Sequence, residues 1–121
     1  DDFDARLAAF FESGGRLTLA ILGLGSDGHV ASLFSAADIE ACGCRHAIPV
    51  SRPAPPHRVS VTPRVLEQAD RLIFMTAGPG KRDAVDALLQ APCSIPAGLA
   101  LRRRREVEIW YSRSAPDGQA A

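Results

Sequence analysis

Residues 19–34 read LAILGLGSDGHVASLF, and inside this stretch a carboxylate, Asp27, and an imidazole, His29, stand two positions apart in a glycine-rich loop. Such a pair has the parts of a general base and the group that orients it. If the loop opens a helix, the free N–H groups there favour nearby negative charge and disfavour a protonated imidazole, so His29 would stay neutral near pH 7. The spacing alone leaves a second reading open, in which Asp27 caps the helix and His29 is an incidental surface residue.

The same loop contains GLGSDG, Gly23 to Gly28, a literal match to the G-x-G-x-x-G of dinucleotide-binding folds directly after an apolar run. That fold needs a full helix after the third glycine and an acidic residue about 20 positions on to hold ribose hydroxyls. The corresponding region, Ile48-Pro49-Val50-Ser51, has no carboxylate. No organic cofactor is expected. Cys42-Gly43-Cys44 does not have a usual zinc spacing, so no metal is expected either. Cys42, Cys44 and Cys93 are an odd set that fits free loop thiols in a reducing compartment.

The elements that must position the loop are legible as periodicities. Phe3, Leu7, Phe10 and Phe11 share a helical face that Gly14-Gly15 terminates. Leu17 to Leu22 and Arg71 to Ala77 read as strands buried on both faces. His29 to Phe34 is expected to begin a short helix, and residues 35–45 to form a loop. Ala47 to Ser51 and Val59 to Val61 read as strands separated by a proline-rich stretch that can be neither helix nor ladder. Thr62 and Pro63 predict a helix start running to about Ala69. Gly78-Pro79-Gly80 turns the chain into an amphipathic helix bearing Ala84, Val85, Leu88 and Leu89. A turn around Pro96 to Leu101 leads to a last strand, Val107 to Tyr111, and the tail from Ser114 is expected to fray.

This alternation predicts one α/β domain over residues 1–121, an open, mainly parallel sheet flanked by helices in a Rossmann-like arrangement. Ligands of such sheets collect outside the carboxyl ends of the strands. Gly23 to Gly28 and Gly78 to Lys81 both leave such ends, so that edge is the candidate site. Fourteen basic residues balance fourteen acidic ones, leaving no net field to attract nucleic acid or an anionic membrane. The run Arg102 to Arg105 reads as a solvated approach to the last strand, and His46 and His57 need no role. No apolar stretch approaches the roughly 20 residues of a membrane span, and the acidic start lacks a signal peptide's basic flank, so a cytoplasmic setting is expected.

Gly23 to Phe34, GLGSDGHVASLF, closely resembles the signature of the 6-phosphogluconolactonase family. Pro55 to Leu66 is similar to its proline-arginine stretch, with Pro63 where a leucine is more familiar. Leu72 to Lys81 is similar to its strand, glycine turn and lysine, and Glu108-Ile109-Trp110 to its closing strand. Related glucosamine-6-phosphate deaminases share the loop but continue with an Ala-Phe-Asn-Glu type of sequence, and Ala31-Ser32-Leu33-Phe34 takes the lactonase side.

The resemblance implies hydrolysis of 6-phosphoglucono-1,5-lactone, a small sugar-phosphate lactone, with no metal or organic cofactor. It implies His29 as general base on water and Asp27 as its holder or a binder of sugar hydroxyls. It further implies Gly25 and Gly28 as N–H donors toward an oxyanion, and Arg58 and Lys81 as the cations for phosphate. Read without it, Arg58 is a solvated strand-edge charge and Lys81 a first-turn lysine, which the helix dipole mildly disfavours. Ser35 stands where a proline is usual, a change expected to affect only the loop. Family members are longer at the amino end, with a first strand, a phosphate loop and an Asp-Glu-Arg motif. None of these is in the 121 residues, so the chain is expected to correspond to the carboxyl-terminal half, missing the amino-terminal strands, and either to self-associate or to need that half. The alternative is a non-catalytic α/β interaction module of the same fold.

Overall fold

The computed structural model describes residues 2–114. The elements in chain order are α1 (Asp2–Glu12), β1 (Leu19–Leu22), α2 (Ala36–Cys42), β2 (Ala47–Val50), β3 (Arg58–Val61), α3 (Pro63–Glu67), β4 (Arg71–Ala77), α4 (Arg82–Gln90), α5 (Pro96–Ala100) and β5 (Glu108–Ser112). Pro79–Lys81 and Pro92–Ser94 are single 3₁₀ turns. Most of the tail expected to fray, residues 115–121, lies outside the described residues.

Three strands form a parallel sheet in the order β1-β4-β5. Leu19 pairs with Arg71 and Leu22 with Phe74, while Ile73 to Ala77 of β4 pair with Glu108 to Ser112 of β5. The strand-rich apolar runs thus pair as a parallel α/β sheet, and the carboxyl ends of β1 and β4 lie at one edge. β2 and β3 are a separate antiparallel pair, Val50 opposite Arg58 and Ile48 opposite Ser60.

Side chains alternate across a strand, so Ala20, Leu22, Leu72, Phe74, Ile109 and Tyr111 share one face. That face meets α4 and α5 through Ala84, Val85, Ala97 and Ala100 in a single apolar cluster, with Phe74 fully buried. Val30 and Leu33 are also fully buried in it, so the loop that carries His29 is anchored by its own apolar residues. Leu89, expected on the apolar face of α4, is instead exposed.

The opposite face of the sheet corrects the expectation of a β1 buried on both sides. Leu19 and Ile21 are about half exposed on it, as are Met75 and Trp110, while Ile73 of the central strand is buried on the same face. α1 contributes little burial: no residue of it is buried, and Phe11 stacks on His46 at 5.6 Å between centroids. Asp4 ties the helix down by accepting the backbone N–H groups of His46 (2.6 Å) and Ala47 (3.1 Å).

Several further local expectations are corrected. His29 to Phe34 is not helical. Gly28 (φ 87°) and Ala31 (φ 51°) take left-handed backbone angles, and Val30 bridges Leu33 across a tight turn closed by a 2.9 Å N–H···O bond. Residues 36–42, expected as loop, form α2, because Ser35 Oγ accepts the Asp38 N–H (3.2 Å) while Asp38 Oδ2 accepts the Phe34 N–H (2.8 Å). Ser35 is therefore a helix cap. Cys42 lies on that helix rather than in a loop, with its thiol donating to the Asp38 carbonyl, and burial followed by the Asp38 charge raises its pKa. Thr62 sits at the start of α3 but does not cap it with its side chain; its buried hydroxyl donates to the Arg45 carbonyl at 2.6 Å.

The arginine run is also not wholly solvated. Arg104 turns inward and donates to the carbonyls of Leu66 (3.1 Å), Glu67 (3.3 Å) and Ala69 (2.6 Å), satisfying the end of α3. α3 accordingly stops at Glu67, short of the expected Ala69. No helix among the described residues is long and apolar enough to cross a membrane.

Candidate active site

β1 ends at Leu22 and the chain folds into a tight loop on the parallel sheet edge. The Gly28 N–H donates to the Gly25 carbonyl (2.9 Å), and the Gly25 N–H donates to the His29 carbonyl (3.0 Å). These two bonds close the loop on itself. They also correct the expectation that Gly25 and Gly28 lend their N–H groups to an oxyanion, since both donors are already used. The glycines serve by being small: a Cβ on Gly25 would collide with the His29 ring and come within 2.8 Å of Asp27 Oδ1, and one on Gly28 would come within 2.7 Å of Ile95 Cβ.

Within that loop Asp27 Oδ1 accepts two hydrogen bonds from His29, one from the backbone N–H at 3.1 Å and one from ring Nδ1 at 2.5 Å. An ionised carboxylate only accepts, so Nδ1 carries a proton, and the tautomer this selects for an uncharged ring has its lone pair on Nε2. Burial pushes the Asp27 carboxyl up, but the bonds from the His29 ring and N–H outweigh it and hold the group below its ordinary value. Asp27 is mostly exposed and His29 about one-third exposed, so the pair is accessible.

Two side chains outside the loop hold it through hydrogen bonds. Lys81, at the start of α4, donates from Nζ to the Leu24 carbonyl at 2.8 Å, which the parallel β1–β4 pairing makes possible by bringing both strand ends together. One of its three N–H donors is thereby used. The buried Ser60 of β3 accepts the Ser32 N–H at 3.1 Å, and its hydroxyl donates a hydrogen bond to the Val61 carbonyl at 2.8 Å. Arg58 lies two residues before Ser60, hence on the same face of β3, the face turned to the signature loop. It is exposed.

The structure therefore places Asp27 and His29 on one loop, ties Lys81 to that loop through Leu24, and sets Arg58 on the strand that braces it. Sequence reasoning missed three residues here. Phe34 packs its ring 4.6 Å from the His29 ring, and Arg52 lies over the Phe34 ring with its guanidinium carbon 3.6 Å from the centroid. Ser60 was missed as well. The only sequence signal for Arg52 is its place before Pro53, in a segment whose ends β2 and β3 clamp together. His57, given no role, accepts the Arg52 N–H at Nδ1 (3.1 Å). A cleft of about 390 Å³ lined by Cys44, Arg64, Arg102 and Arg103 shares no residue with this constellation, and the loop chemistry rather than the cleft defines the site.

A family profile described as glucosamine-6-phosphate isomerases/6-phosphogluconolactonase matches residues 1–110. The chain is 35% identical over 88 residues to the 6-phosphogluconolactonase of Mycobacterium tuberculosis, covering 69% of this chain and 36% of that protein. It is 33% identical over 101 residues to the Helicobacter pylori 6-phosphogluconolactonase, covering 79% and 44%. Among solved structures, the 6-phosphogluconolactonase from Thermotoga maritima superposes with a TM-score of 0.70 at 26% identity, covering 92% of this chain and 50% of that one. The Trypanosoma brucei 6-phosphogluconolactonase gives 0.69 at 27% identity, covering 92% and 49%. The chain thus spans no more than half the length of these relatives.

Proposed function

This chain belongs to the glucosamine-6-phosphate isomerase/6-phosphogluconolactonase family, and from that premise we propose that it hydrolyses 6-phosphoglucono-1,5-lactone to 6-phosphogluconate, the lactonase step of the pentose phosphate pathway, in the cytoplasm. The observation that carries this reading is the Asp27–His29 pair, with Nδ1 held by the carboxylate and Nε2 left as the base.

His29 Nε2 takes a proton from water as its oxygen attacks the lactone carbonyl, giving a tetrahedral intermediate. Collapse of the intermediate breaks the bond to the ring oxygen, and the imidazolium returns the proton to that departing oxygen. Asp27 fixes the tautomer and stabilises the imidazolium while it exists. Lys81 and Arg58 supply positive charge for the phosphate. Lys81 keeps two donors after bonding Leu24, at the N-terminal end of α4 where anions are favoured. Leu33-Phe34 in place of the deaminase sequence supports the lactonase side, and Phe34 is the ring that packs on His29.

The test is lactone hydrolysis by the full chain and by His29→Ala. Turnover by the wild type, lowered about a hundredfold or more in the variant with an unchanged fold, is the expected result. Wild-type kcat in His29→Ala removes the base assignment. A folded wild type that leaves the lactone intact favours the alternative of a non-catalytic domain.

A further inference from the structure

Arg52 belongs to no element and pairs with no carboxylate among the described residues. It is nonetheless held in place. Its backbone N–H is bonded to His57 Nδ1, and its guanidinium lies 3.6 Å over the Phe34 ring, which in turn packs 4.6 Å from the His29 ring. A guanidinium flat on an aromatic face gains from the ring quadrupole while its edge keeps the N–H donors free. The half-buried charge is thus positioned without being neutralised.

We infer that Arg52 is an anion-recognition residue of this site, receiving the phosphate of a phosphorylated sugar lactone or acid on its free guanidinium edge, with Phe34 as the platform that holds it beside the His29 loop. The inference rests on the lactonase reading for the identity of the ligand. Arg52 and His29 both contact the Phe34 ring, so the cation and the base are linked through one shared aromatic side chain. A base at one end and a cation one ring away suit a substrate whose reacting carbonyl and permanent charge lie at opposite ends of a hexose. A planar fork also grips a phosphate through two parallel bonds, which a lysine cannot do. Arg52 comes from the β2–β3 connection, Lys81 from the turn before α4 and Arg58 from β3, so the three cations are carried by separate segments. Together they make phosphate the part of the ligand that is discriminated.

Calorimetric titration of the full chain with 6-phosphogluconate, gluconate and inorganic phosphate tests this without requiring turnover. The wild type is expected to prefer the phosphorylated acid, and Arg52→Gln to cut that preference roughly tenfold, the loss of about one charge-assisted bond pair. Arg52→Lys should recover part of it, because charge is restored without the fork. Phe34→Leu should weaken the preference through the lost platform, with the charge intact. An unchanged preference in Arg52→Gln, or an equal loss for both acids, overturns the inference even if the lactone is hydrolysed. Phosphate-dependent binding that vanishes with Arg52, in a chain that hydrolyses no lactone, keeps the anion site and removes the lactonase reading.

Discussion

Asp27 Oδ1 receives both the ring Nδ1–H and the backbone N–H of His29, so one carboxylate oxygen fixes the rotamer, the tautomer and the backbone of the residue beside it. Asp27→Asn keeps an oxygen for the backbone N–H but removes the negative charge that favours imidazolium. Its expected effect is a fall in kcat of about a hundredfold or more, with KM little changed and the melting temperature close to wild type. Steady-state kinetics beside a thermal melt checks it; a loss confined to KM would place Asp27 on the sugar hydroxyls instead.

Gly25 and Gly28 separate site geometry from fold. Gly25→Ala places a methyl against the His29 ring, which can swing away, so activity should fall far more than stability. Gly28→Ala meets both a left-handed backbone angle (φ 87°) and the Ile95 side chain, and should cost on the order of 1 kcal/mol or more. Chemical denaturation of the two variants alongside turnover gives the comparison. Equal destabilisation by both would contradict the assignment of Gly25 to the site.

The regular segments were legible in the sequence because their burial is repetitive: β4 follows from an apolar run and α4 from helical spacing, Pro63 and Pro79 mark real turns into helices, and Pro96, read as a turn, in fact begins α5. The signature loop was legible as chemistry but not as shape. Nothing in the sequence indicates that Ala31 takes φ 51°, a conformation imposed by burying Val30 and Leu33 on either side of it. α2 did carry a signal, Ser35 three residues before Asp38, which the small and polar composition of that stretch masked. The Lys81–Leu24 bond depends on which strands pair, and the Arg52–Phe34 stack on where a proline-rich connection folds back, so both are tertiary facts.

Asp4 should make the attachment of α1 pH-dependent. Its carboxyl is held below the ordinary value of 3.8, first by the His46 N–H and then by the Ala47 N–H, against burial. A depressed folded pKa means that the stabilisation is complete above the unfolded value and is lost as pH falls through the folded one. Asp27, also depressed from 3.8, acts in the same direction in the same window. The protection of the His46 and Ala47 amides, taken relative to the intrinsic exchange rate at each pH, should therefore fall below about pH 4. In Asp4→Asn the pH-dependent part of that change should disappear; if it persists unchanged, another carboxylate controls the contact.

Lys81 and Arg58 address binding more than the chemical step. Lys81→Ala or Arg58→Ala should raise KM for the phosphorylated lactone by several-fold to roughly tenfold, with a smaller drop in kcat from poorer positioning. The informative quantity is the ratio of kcat/KM for the phosphorylated and unphosphorylated lactones, which should fall. A constant ratio in both variants would mean that these cations support the loop, as the Lys81 bond to Leu24 already does, and would withdraw them from phosphate recognition.

The uncovered face of the sheet sets the behaviour of the 121-residue chain in solution. Ile21 is 55% and Trp110 50% exposed, on strands that flank β4, and Leu19 and Met75 extend the same apolar surface. The outer edge of β1 has no strand beside it among the described residues, so backbone donors and acceptors lie next to that surface. A bidentate ion pair from Arg71 to Glu108, 2.8 Å for each bond, supplies polar cover at one end only. An apolar face beside an open strand edge favours association. The chain should therefore sediment with a concentration-dependent coefficient, or melt at low temperature with weak cooperativity. Ile21→Lys should suppress the association, because a charge on that face must be desolvated to pair, while the buried face that holds Val30 and Leu33 is untouched. A monodisperse monomer with a sharp melting transition would contradict this account of the face.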